Sequence, residues 1–92
     1  MEDENIVILA DGLEDAFIGI AESFGGKQHA CYSYDKVIEI LMNMNMSYDE
    51  AVEYYEYNIL GAFYKDNMPF FLDLMNFSEF KESYEKEKES NQ

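Results

Sequence analysis

His29 and Cys31 stand two residues apart in a stretch that reads as a strand, so they share a face. If Gly25-Gly26 is the whole loop before them, Glu22 lies opposite His29 and completes a His/Cys/Glu cluster. Zinc takes about four ligands, or three and a water. One His and one Cys leave a structural site incomplete, and no metal is assigned. A Cys–His nucleophile is the other chemistry these residues offer. Side chains at i and i+2 on a strand stand roughly 6–7 Å apart, too far for a good hydrogen bond. No catalytic residue is assigned, and the chain is read as a non-enzyme.

Asp11, Glu14 and Asp15 crowd one loop. An EF-hand spreads its oxygen ligands over about twelve residues and ends on a bidentate Glu. That pattern is absent, and a solvated acidic turn is the ordinary reading. Paired carboxylates also serve glycosidases, but those need a deep cleft, which 92 residues with two helices rarely build. Gly25-Gly26 precedes a strand rather than a helix and has no adjacent Lys-Ser/Thr, so it is no phosphate loop. No cofactor is implied.

The remaining constellation is acid with tyrosine. Asp49, Glu50, Glu53 and Glu56 fall on one side of a helical pattern, with Tyr54 and Tyr57 among them and Tyr48 and Tyr64 nearby. Tyrosine is enriched at interface hot spots, where it offers a large contact area and one polar handle. Those six residues, Asp49, Glu50, Glu53, Tyr54, Glu56 and Tyr57, are the candidate partner-binding set. The ordinary alternative is that the tyrosines fill the edges of a small core.

Charge says what such a surface would meet. The chain carries 20 acidic and 6 basic residues, a net −14, and every basic residue is Lys. Without Arg it lacks the planar fork that grips phosphate, and its charge repels nucleic acid and anionic membranes. The expected partner is a basic protein surface, including a groove that normally holds DNA or RNA. The competing reading is that the charge only confers solubility. A hydrophobic fraction of 48% excludes an acidic disordered chain. A single Cys permits no internal disulfide, the acidic N-terminus lacks a signal peptide's positive region, and no apolar run approaches a membrane span. The expectation is a cytoplasmic protein.

The elements that must position these residues follow from pattern. Ile6–Ala10 reads as a buried β-branched strand and Asp11–Asp15 as a loop. Ala16–Phe24 and Lys27–Tyr32 read as two more strands joined by Gly25-Gly26. That loop pairs Ile20 with Cys31, Ala21 with Ala30, and Gly19 with Tyr32. Ser33 caps a helix with an apolar stripe at Val37, Ile40, Leu41 and Met44. Ser47 and Glu50 form a capping box opening a second helix to about Tyr57 or Asn58, with Ala51, Val52, Tyr55 and Ile59 inward. Residues 62–72 read as a short hairpin or two edge pieces. The charged end supports a short solvated helix with Phe77, Phe80 and Tyr84 on one side and a frayed Glu85–Gln92. The fold class is α+β: a three-stranded antiparallel sheet, two helices on one face, and a short β element in the C-terminal third. Residues 1–76 form the domain and 77–92 a charged tail.

Four blocks also carry a resemblance. They are Ala10–Ile20 (ADGLEDAFIGI), Tyr34–Leu41 (YDKVIEIL), Met46–Glu53 (MSYDEAVE) and Tyr57–Ala62 (YNILGA). In this order they resemble an uncharacterised family of small proteins from tailed phages and bacteria, over roughly residues 6 to 72. The chain departs after Gly61, where the family shows a short Gly-containing turn before Thr-Pro and this chain has Lys65-Asp66-Asn67-Met68-Pro69. Its acidic tail is also its own. The resemblance brings no catalytic residues. It implies a phage-like setting, with the host cytoplasm as location and a host protein as partner. The favoured expectation is a non-catalytic acidic binding module that modulates or inhibits a host protein, with nucleic-acid charge mimicry as its sharpest form. The alternative is a small homo-oligomeric structural or assembly subunit.

Overall fold

Ser33 ends one element and opens the next. In the computed structural model, which describes residues 7–62 and 67–90, strand β2 (Gln28–Ser33) runs without a linker into helix α1 (Tyr34–Met42). The Ser33 hydroxyl accepts the Lys36 N–H at 3.3 Å, as the sequence leads one to expect of an N-cap. α1 buries Val37, Ile38 and Leu41. It ends through Asn45, whose φ of 71° is the left-handed conformation Asn tolerates. The Ser47–Glu50 capping box then opens α2 (Tyr48–Tyr54). Glu50 N–H donates to Ser47 Oγ at 3.2 Å, and Ser47 N–H to Glu50 Oε1 at 2.8 Å.

The second helix does not continue as a regular α-helix to Tyr57 or Asn58. After Tyr54 the coil widens into a π turn (Tyr55–Ile59) and tightens into a 3-10 turn (Leu60–Ala62). Leu60 N–H reaches the Tyr55 and Glu56 carbonyls, so the wide turn keeps its backbone bonded. Ala51 and Tyr55 are buried, and Val52 and Ile59 half-buried, as the stripe requires.

The sheet is mixed rather than antiparallel. β1 (Phe17–Glu22) pairs antiparallel with β2, and β3 (Phe70–Leu72) pairs parallel on the other side of β2, matching Cys31 with Phe70 and Ser33 with Leu72. Parallel pairing needs a long crossover, and both preceding helices lie within it. The third strand is therefore β3, not the Ile6–Ala10 run. Ile6 lies outside the described residues, and Val7–Ala10 form no strand. They pack through side chains instead: Val7 lies against the core, Ala10 is buried, and the Ala10 N–H donates to the Tyr32 hydroxyl at 2.9 Å. Leu13 and Ala16 follow inward around a 3-10 turn (Glu14–Ala16). The expected 62–72 hairpin reduces to β3 among the described residues; Phe63–Asp66 lie outside them.

The hairpin register also differs from expectation. Gly19 faces Cys31, Ile20 faces Ala30, Ala21 faces His29, and Glu22 faces Gln28. The loop contains Phe24 as well as the two glycines, because Ser23 N–H donates to the Lys27 carbonyl at 2.9 Å and closes the turn one residue earlier. Gly25 and Gly26 supply its positive φ angles of 91° and 82°. A bulge between Phe17 and Gly19 then brings Tyr32 opposite Phe17, not Gly19, with the two rings edge to face at 5.8 Å.

The core between sheet and helices is small-residue and aromatic. Ala16, Ala30 and Ala51 let the backbones approach, and rings fill the remainder. Tyr32 stacks on Phe71 at 5.7 Å, Phe71 meets Tyr55 at 5.4 Å, and Tyr55 meets Tyr34 at 5.0 Å. A third helix, α3 (Phe77–Ser90), starts from a second capping box. Asn76 Oδ1 accepts the Glu79 N–H at 2.8 Å, and Glu79 Oε1 accepts the Asn76 N–H at 2.9 Å. The helix thus extends well into the stretch expected to fray. No helix among the described residues is long and apolar enough to cross a membrane.

Candidate functional site

The His/Cys/Glu cluster does not assemble. Glu22 faces Gln28, and His29 is 3% exposed with both ring nitrogens engaged. A carbonyl only accepts, so Nδ1 carries a proton and donates to the Met68 carbonyl at 2.9 Å. Nε2 lies 3.1 Å from the Ser23 hydroxyl, and Phe70 stacks on the ring at 4.1 Å. The buried Cys31 thiol points to the His29 carbonyl at 3.6 Å. These residues tie the hairpin to the segment leading into β3. In the acidic loop, the Glu14 carboxylate accepts the Gly12 N–H at 3.1 Å. The backbone N–H groups of Glu14 itself and of Gly12 hold its pKa below the ordinary carboxylate value. Among the described residues no group of three or more His, Cys, Asp and Glu is arranged to hold a metal ion.

The acid–tyrosine set lies on α2 and the π turn. The capping box at Ser47 sets the rotation of the helix, and Asp49, Glu50, Glu53 and Glu56 all emerge exposed. Tyr54 and Tyr57 are 42% and 75% exposed, so neither belongs to the core. Glu50, Glu53, Tyr54 and Tyr57 line one shallow depression of about 360 Å³. Asp49 and Glu56 lie outside it. Tyr48 is exposed near the start of α2, and Tyr64 falls outside the described residues.

Two lining residues escaped the sequence reading. Met46 comes from the break before α2 and Asn58 from the π turn. Asn58 stands i+4 from Tyr54, on the same face even of a regular helix, but carries neither charge nor ring to single it out, and Met46 reads as a linker residue. The π turn bears on the site because such turns occur often at functional positions. Gly61 follows it closely: a Cβ there would stand 3.2 Å from the Glu56 carbonyl.

Electrostatically the face is one-signed among the described residues. Asp49 and Glu53 are spaced i, i+4, and Glu50/Glu53 and Glu53/Glu56 are spaced i, i+3. Each like-charge pair costs roughly 0.2–0.5 kcal/mol on a helix. Asp49 and Glu50 recover some of this at the positive N-terminal end; Glu53 and Glu56 do not. On the inward side, burial raises the pKa of Tyr55, with Tyr34 and Glu56 adding to the shift. Tyr34 is raised by burial first, then by nearby Tyr48 and carboxylates. Both phenols stay neutral and serve as packing. What this face can do chemically is accept hydrogen bonds and attract cations while offering two exposed rings. No protein-family model, curated protein or solved structure matches the chain.

Proposed function

We propose that this protein is a non-catalytic binding module whose acidic, tyrosine-bearing α2 face engages a basic surface on another protein. The observation that carries the reading is the convergence of Glu50, Glu53, Tyr54 and Tyr57 on one depression. Carboxylates there attract Lys and Arg, and the two rings offer stacking faces to the same side chains. Keeping like charges adjacent on one helix lowers its stability, which fits a surface retained for binding. The resemblance to small phage proteins supports a host protein as the partner and the host cytoplasm as the setting. A nucleic-acid-binding groove is the basic surface such a face would best obstruct.

The test is capture from host lysate on immobilised protein, eluted by a salt step, beside the Glu53→Lys/Glu56→Lys variant. One defined basic protein retained by the native chain and lost by the variant is the expected result. Equal retention by both removes the acidic face from the reading.

A second reading has one observation in its favour. Phe77, Phe80 and Tyr84 on α3 form a continuous exposed ridge, with ring centroids 6.4 and 5.8 Å apart. In a homo-oligomeric assembly subunit that ridge would be the contact and the acidity only a solubilising coat. Sedimentation equilibrium of native protein and Phe80→Glu separates the two readings.

A further inference from the structure

Tyr54 and Asn58 border two depressions, not one. Beyond them from Glu50 and Glu53 lies a second hollow of about 250 Å³. Leu13 and Leu41 are its buried walls, Ile59 is half-buried, and Met44 and Asp11 stand exposed at its margin. No basic side chain lines either hollow among the described residues. An apolar socket and an acidic socket thus sit side by side across the Tyr54–Asn58 wall.

A lysine alone would leave the apolar socket filled with water, and an apolar group alone would leave the carboxylates unpaired. A ligand that satisfies both carries an apolar side chain and a Lys or Arg on one face. A helix supplies that pair at i, i+3 or i, i+4. We propose that the two hollows together form a docking groove for a basic amphipathic helix of a partner protein. One apolar side chain seats among Leu13, Leu41, Met44 and Ile59, and a cation pairs with Glu50 and Glu53. Charge complementarity selects this occupant over a second copy of the chain. The chain's own amphipathic helix, α3, carries Glu79, Glu82 and Glu85 beside Lys81 and Lys86, and would bring carboxylates against carboxylates. The inference rests on the acidic-face reading and adds an apolar anchor to it.

The two can be tested apart. The probe is a short helical Leu–Lys peptide with leucines at i, i+3, i+4 and i+7, titrated calorimetrically into the full chain. Its control has the same lysines with every Leu replaced by Gln. The Leu–Lys peptide is expected to bind at least about tenfold tighter than the control, the scale of one buried aliphatic side chain. Met44→Glu adds negative charge at the socket. A surface acting by charge alone keeps or gains affinity for the peptide, whereas an apolar anchor loses about tenfold or more. Met44→Gln repeats the test without the charge, and is expected to lose affinity in the same direction should Met44→Glu fail to fold. Unchanged affinity in the Met44 variants with a loss in Glu53→Lys overturns the anchor and leaves the acidic face standing. Unchanged affinity in Glu53→Lys with a loss in the Met44 variants overturns the acidic face and, with it, the two-socket groove. Self-association in sedimentation that Met44→Glu abolishes assigns the groove to a second copy and overturns the proposal.

Discussion

The imidazole of His29 donates to the carbonyl of Met68, 39 residues further along the chain, at 2.9 Å. This bond, with the Phe70 ring stacked on the same imidazole at 4.1 Å, anchors the approach to β3. His29→Ala leaves the Met68 carbonyl without its imidazole donor and removes the stack. Leaving a half-buried carbonyl unpaired costs at the low end of about 1–3 kcal/mol, and an aromatic pair adds about 0.5–1.5 kcal/mol. Urea denaturation should show a loss of about 1.5 kcal/mol or more on these grounds. A variant as stable as the native chain would mean that β3 docks without this anchor.

The two members of the Ser47–Glu50 box should differ in weight. Ser47→Ala should cost about 0.5–2 kcal/mol, the usual range for a lost N-cap. Glu50→Ala should cost less, because it frees only the reciprocal donor and relieves repulsion from Glu53. Paired denaturation curves check the order.

Alkaline pH should loosen the core through Tyr55 and Tyr34. Burial raises both pKa values in the folded chain. Their stabilising contribution is therefore complete below the ordinary tyrosine value of about 10 and is lost as pH rises through the folded values. Denaturation midpoints should hold up to about pH 9 and fall above about pH 10. Tyr55→Phe should flatten that fall. The same fall in Tyr55→Phe would assign the alkaline loss to other groups.

The protein should not bind DNA or RNA by itself. With a net charge of −14 and no Arg, contact with phosphate releases no useful counterions. A gel shift at low salt is the check, and a retarded band at micromolar protein would contradict it.

Local rules carried much of the fold into legible form. Ser33, Ser47 and Glu50 cap where their types and spacing say they should, because a cap depends on three or four neighbouring residues. Asn76 and Glu79 form the same reciprocal pair, with Asn in the place of Ser. The hairpin register differs by one residue from the one the pattern implies because Phe24, apolar and next to two glycines, reads as strand although it is fully exposed in the loop. The parallel partner of β2 was not legible at all. Phe70–Leu72 is too short to show a period, and its place is decided by His29, Tyr32 and Tyr55, all distant in sequence. The candidate site was half legible. Helical spacing groups Glu50, Glu53, Tyr54 and Tyr57, while Asn58, an uncharged residue at the expected end of the helix, and Met46, in the break before it, have no charge or ring to mark them.

The parallel pairing of β3 with β2 also governs the order of events when the chain is made. The β1–β2 hairpin and both following helices can form from neighbouring residues as they leave the ribosome. The sheet cannot be completed until residues 70–72 have followed. Closing so long a loop costs chain entropy before any contact rewards it. Until then the outer edge of β2 is open and the Tyr32 and Tyr55 rings lack Phe71. The nascent chain thus passes through a stage with its central strand unguarded, and its strong negative charge keeps neighbouring copies apart during that interval.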